Sequence, residues 1–147
     1  MANLPDKVDC VVAADGSPVM GLILQAEFKT SRKNAYTLVF GPTNRDGHAL
    51  LDHATITQQA DSQLNLALMD FDPLDKAFTG VVRITVMQEA DVQNALRAYE
   101  LFKGVANFAD HYQDDLKSAL TILRQTDTRR LRVHAKVEPP SVAVLVE

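Results

Sequence analysis

"NAYTLVFGPTNRDGHALL", residues 34–51, runs from strand-forming residues through a polar loop into a second apolar segment. Tyr36, Leu38 and Phe40 alternate with Thr37 and Val39, the period that puts one apolar face on a strand. Pro42 lacks the N–H a sheet ladder needs and ends that strand. Asp46-Gly47 then supplies turn chemistry ahead of "HALL". If "PTNRDGH" is a turn, its flanks are paired strands and the first third of the chain is a β-structure. If it is a loop built for chemistry, Asp46 and His48 are its reactive groups. The residue types favour the turn.

Working outward, the first 50 residues read as strands. "KVDCVVA" (7–13) is short and valine-rich, and Asp15-Gly16 with Pro18 turns the chain after it. In "MGLILQAEFKT" (20–30), Leu22, Leu24, Ala26 and Phe28 share a face, with Gln25 and Glu27 opposite. Beyond the loop, Thr55-x-x-Gln58 has capping-box spacing, and Ile56, Ala60 and Leu64 recur at helical intervals, predicting a short helix over 55–63. "LNLALMDF" fits a strand from about 65 to 71, closed by Asp72-Pro73, and "FTGVVRITVM" (78–87) is a β-branched strand of buried type.

Two helices follow at about 89–124. Val92, Ala95, Leu96, Tyr99 and Phe102 make one stripe, stopped by Gly104. Phe108, Tyr112, Leu116, Ala119, Leu120 and Leu123 make the other, with Asn107 at its start. The short link predicts an antiparallel hairpin. "RLRVHAKV" (130–137) returns to strand, with Leu131, Val133, Ala135 and Val137 on one face and Arg130, Arg132, His134 and Lys136 on the other. "SVAVLVE" ends the chain, apolar on both faces: it is central in its own sheet, or it adds to the sheet of another copy, a route to a homo-oligomer.

The expected architecture is therefore α+β: a mainly antiparallel β-sheet or sandwich with an inserted short helix and a helical hairpin in the C-terminal half. One domain over 1–147 is expected, strand-rich over 7–88, helical over 89–124, with terminal strands over 130–147. With 46% apolar and 23% charged residues the composition is that of an ordinary globular protein. No apolar run approaches a membrane span, so no membrane contact is expected. The single Cys10 excludes an internal disulfide and a multi-cysteine zinc site. The N-terminus lacks the basic and apolar regions of a secretory signal, so the expected location is cytoplasmic, or the chain has been trimmed.

Residues 8–50 resemble the carboxypeptidase-regulatory-like and transthyretin-like (prealbumin) β-sandwich modules. The resemblance rests on "AADGSPVMGLILQAEF" (13–28), an xDGxPVxG turn with a strand beginning at its glycine, and on "PTNRDGHALL" (42–51), a TxxxG turn into the next strand. It implies a β-sandwich in which Thr43, Asp46 and Gly47 shape the backbone rather than a reaction. Gly16 and Gly47 supply positive φ, and Pro18 fixes φ at the strand entry. The hydroxyisourate hydrolases, an enzymatic branch related to transthyretin, end in a Tyr-Arg-Gly-Ser tail; this chain ends "SVAVLVE", and that activity is not carried over.

Asp46, His48, Asp52 and His53 offer two imidazoles and two carboxylates to a metal. On an extended chain, however, His48 and His53 point to opposite faces, and solvated turn residues are the simpler reading. Asp70, Asp72 and Asp75 lack the central Gly and distal Glu of a calcium loop. His111 with Asp114 or Asp115 reads as a helix-surface pair. Ser17, Ser31, Ser62, Ser118 and Ser141 lack a nucleophile elbow, and the glycines lack phosphate-loop spacing. No cofactor is implied. The most specific surface signal is the basic strand face: Arg129, Arg130, Arg132, His134 and Lys136, with Arg124 nearby, in a chain of net charge -4. A solvated face protecting an edge strand is its simplest reading. As a binding surface it suits an acidic protein better than nucleic acid, since it has no interleaved aromatics and the rest of the chain repels a polyanion. The expected function is a non-catalytic binding module acting through protein–protein contacts, with a small-ligand or metal enzyme using the 46–53 cluster as the alternative.

Overall fold

The computed structural model describes residues 5–31, 36–54, 56, 78–101, 113–138 and 143–146. The fold is α+β; among the described residues two sheets are packed with a helical hairpin. The strands are β1 (Lys7–Ala14), β2 (Ser17–Pro18), β3 (Leu24–Thr30), β4 (Tyr36–Phe40), β5 (His48–Asp52), β6 (Phe78–Val86), β7 (Leu131–Glu138) and β8 (Ala143–Val146). The helices are α1 (Glu89–Leu101) and α2 (Gln113–Gln125), and a single 3-10 turn, Thr128–Arg130, leads into β7.

β1 is the spine of the first sheet. β7 pairs with it antiparallel along its whole length, while β5 and the short β2 share its other edge. The second sheet runs β4-β3-β6-β8; only its β6–β8 pair is parallel. Both sheets follow the period-two rule. Val8, Cys10 and Val12 of β1 and Ala49 and Leu51 of β5 are buried, as are Leu24, Ala26 and Phe28 of β3, Leu38 and Phe40 of β4, and Phe78, Val82, Ile84 and Val86 of β6. These side chains from the two sheets form one continuous core, in which Phe28 and Phe78 meet edge to face with ring centroids 5.7 Å apart.

The hairpin belongs to the same core: Val92 of α1 and Leu116, Ala119 and Leu123 of α2 are buried within it. α1 and α2 pack on each other, Arg124 pairs with Glu89 at 2.9 Å, and Ile122 lies against Gly21, where even a Cβ would meet its methyl. The chain thus covers its own sheets with its helices.

Several expectations are corrected in detail. The second predicted strand starts at Leu24 rather than Met20, because Gly21 and Leu22 bond to Thr43 instead of to a neighbouring strand. Phe78–Val86 is not buried on both faces: it alternates buried and half-exposed positions, as a strand covered on one side does. His53, Ala54 and Ile56 are helical, so the helix begins ahead of its expected Thr55 cap. Arg130 lies in the 3-10 turn and not on the strand with Arg132. The remainder of the 55–63 helix, the 65–71 strand, Asp70, Asp72, Asp75, Phe102, Gly104, Asn107 and His111 lie outside the described residues. The terminal strand joins its own sheet, at the edge beside β6.

Candidate functional site

The loop 41–47 resolves the opening choice in favour of structure. Thr43 is buried at 2% exposure. Its Oγ1 accepts the Leu22 N–H at 3.0 Å and donates to the Val19 carbonyl at 2.7 Å. Its own N–H reaches the Leu22 carbonyl, and its carbonyl accepts from Gly21. The Asn44 side chain accepts the N–H groups of Asp46 and His48, closing the turn from within. Gly47, at φ +78°, donates to Asn44 and accepts from Val12; a side chain there would collide with the Val12 carbonyl. The Thr43 and Asn44 side chains are thus spent on backbone groups, Thr43 on the β2–β3 connection and Asn44 on the turn itself.

The same geometry disperses the Asp/His cluster. His48 and Asp52 sit on the outer face of β5 at opposite ends of the strand. Asp46 is exposed in the turn, and His53 begins a helix with its N–H on the Asp6 carbonyl. His48 faces Asp9 of β1, Nδ1 to Oδ1 3.3 Å. Among the described residues no three His, Cys, Asp or Glu side chains gather as a metal site. Asp114 and Asp115 open α2, where their charge complements the helix dipole.

The outer face of the first sheet carries the remaining polar chemistry. β7 alternates half-buried Leu131, Val133, Ala135 and Val137 with exposed Arg132, His134, Lys136 and Glu138. Register sets what lies beside each. Lys7 is flanked by Glu138 and Asp52, and Asp9 by Lys136 and Leu50; Val11 is flanked by His134 and His48, and Ala13 by Arg132 and Pro18. The face therefore changes along the strands, from alternating charge at Lys7 to Arg132 beside Ala13 and Pro18 at the other end. These acids were invisible to a reading of "RLRVHAKV" alone: the β1–β7 register brings Asp9 to this face, and the β1–β2 turn brings Asp15 to Arg130.

At the basic end, the 3-10 turn is held by Asp127. This residue accepts the backbone N–H of Arg129 at 3.1 Å, its Nε at 3.1 Å and its Nη2 at 3.3 Å, and forms an ion pair with Arg130 Nε at 3.6 Å. Hydrogen bonds from the Arg129 side chain, then from its backbone, hold the Asp127 carboxyl below the usual aspartate range. Arg130 Nη1 bonds Asp15 at 3.1 Å across to the β1–β2 turn. Arg132 Nη1 donates to the carbonyls of Arg129 (3.0 Å) and Leu131 (2.8 Å), and among the described residues it meets no carboxylate. Beneath these groups Ala13 and Gly16 form a low floor, so Arg129, Arg130, Arg132, His134 and Asp15 stand around a concavity of about 280 Å³.

On the opposite side of β1, Cys10 is fully buried, and burial followed by the neighbouring Asp9 carboxylate pushes its thiol up to about 12. It is a small core residue rather than a nucleophile. No helix among the described residues is long and apolar enough to cross a membrane. No family model matches the chain, and neither curated proteins nor solved structures give a significant match to it.

Proposed function

We propose that this chain is a non-catalytic binding module that engages an acidic segment of a protein partner through the outer face of the first sheet. The observation that carries the reading is the alternation along β7. Arg132 and Lys136 stand exposed on a strand that is paired to β1 along its whole length, and among the described residues neither is in an ion pair with a carboxylate. Cations fixed on a strand meet an anionic partner at small entropic cost, and their long-range field speeds encounter. Support also comes from the loop 41–47, where the Thr43 and Asn44 side chains are committed to the backbone. The resemblance of residues 8–50 to carboxypeptidase-regulatory-like and transthyretin-like modules belongs to this proposal, because such modules are scaffolds whose turns shape the chain. Within it the setting is cytoplasmic, where a lone thiol stays reduced.

The test is fluorescence anisotropy with a labelled glutamate-rich peptide at low salt. Reversing Arg132 and Lys136 to Glu is expected to weaken binding about tenfold or more, the scale on which charged hydrogen bonds contribute. Reversing the exposed Arg97 and Lys117 of the hairpin is expected to change little. Equal affinities for both reversals would overturn the reading, as would a single-stranded oligonucleotide that bound more tightly than the peptide and with a steep salt dependence.

A further inference from the structure

We infer that the concavity at the basic end of the face is a binding pocket for a compact tetrahedral oxyanion, of the phosphate monoester class. This rests on the reading of the face as a binding surface and names the group it is shaped to receive. The floor is made by the two smallest side chains of the neighbourhood, Ala13 and Gly16, and a Cβ on Gly16 would meet nothing within 4 Å. The walls come from two separate elements, the 3-10 turn with the start of β7, and the β1–β2 turn.

Donor bookkeeping favours a tetrahedral anion over a carboxylate. Arg129 uses Nε and Nη2 on Asp127, which leaves Nη1. Arg130 uses Nη1 on Asp15, which leaves Nη2, while its Nε lies 3.6 Å from Asp127 in an ion pair. Arg132 uses only Nη1, on carbonyl oxygens, which leaves Nε and Nη2. His134 lines the same hollow. Three guanidinium groups and an imidazole thus keep donors in reserve around one concavity. A carboxylate has two oxygens in one plane and satisfies one such fork; a phosphoryl group presents three or four oxygens in different directions. Asp15 and Asp127 oppose an anion by their charge, yet each is met by arginine, and Arg132 leaves the group net positive. The two carboxylates pair with Arg129 and Arg130 and aim them toward the concavity they line.

The experiment is a ¹H–¹⁵N titration of the full chain at constant ionic strength, with inorganic phosphate, phenyl phosphate, a phosphoserine peptide and acetate as separate probes. Saturable shifts confined to Ala13–Gly16 and Arg129–His134 are expected with the phosphoryl probes and not with acetate. Arg132→Gln is expected to weaken phenyl phosphate about tenfold or more. Ala13→Leu, which fills the floor and removes no charge, is expected to do the same, while Lys117→Gln on the hairpin is expected to have no effect. Tighter binding of the phosphoserine peptide than of phosphate assigns the anion to a protein partner; the reverse order assigns it to a small ligand; both outcomes support the pocket. Absence of shifts with every phosphoryl probe would overturn it, as would equal shifts with acetate or full binding by Ala13→Leu. Each of these would leave the acidic-peptide measurement, and hence the wider face, to be judged separately.

Discussion

Thr43 shows how one side chain can decide what a loop is for. Its hydroxyl joins partners 21 and 24 positions away, so nothing local in "PTNRDGH" announced that it would be the buried member of the set. The turn was legible from Pro42, Asp46 and Gly47; the strut was not, because its partners Leu22 and Val19 reach it only through the fold. Thr43→Val keeps the shape, removes the hydroxyl and leaves the buried Leu22 N–H without its acceptor. A loss of about 1–3 kcal/mol is expected by urea denaturation, with Thr43→Ser retaining most of the stability. Cys10 gives a pH signature at the same scale. Its thiol is raised from 9.0 to about 12 in the folded chain. Below pH 9 both states hold the proton; above it the unfolded chain loses its proton first, so stability falls as pH rises between these values. Cys10→Val is expected to flatten that part of the stability curve, and a thiol reagent is expected to label Cys10 only after unfolding.

At the scale of elements, β7 was the most legible part of the chain, because strict alternation of apolar and basic residues leaves a strand no other arrangement. What alternation could not tell was where the strand begins and which acids lie beside it. Arg130 falls in a 3-10 turn because Asp127 caps that turn, and the pairing that matters crosses from Arg130 to Asp15 on another element. The same limit applies to the Asp46, His48, Asp52 and His53 cluster: proximity in sequence placed them together, while a strand and a helix start send them apart. The cap itself can be tested. The Asp127 carboxyl is expected to titrate at lower pH than ordinary aspartates in ¹³C NMR, so that its bonds to Arg129 persist above that pH and are lost as the solution is acidified through it. Arg129→Gln is expected to bring Asp127 back toward the ordinary range, and an unchanged titration would show that the turn is held by something else.

For the whole molecule, the grouping of strands before helices pointed to an α+β fold, and the apolar stripes of the hairpin required a cover. The register between sheets was not readable, since it depends on which strand takes the centre, and β1 takes it by offering both edges. That arrangement turns one face of the first sheet outward with its charge graded from mixed at Lys7 to basic at Ala13, on a chain of net charge -4. Under the proposed function, binding falls on this face and the 41–47 loop is scaffold. The most direct measurement is the footprint of a glutamate-rich peptide on the ¹H–¹⁵N spectrum of the protein. Shifts along the outer face of β7, Arg132–Lys136, are the expected result; shifts centred on Asp46 and His53 or on the helical hairpin, with Arg132–Lys136 unmoved, would contradict it.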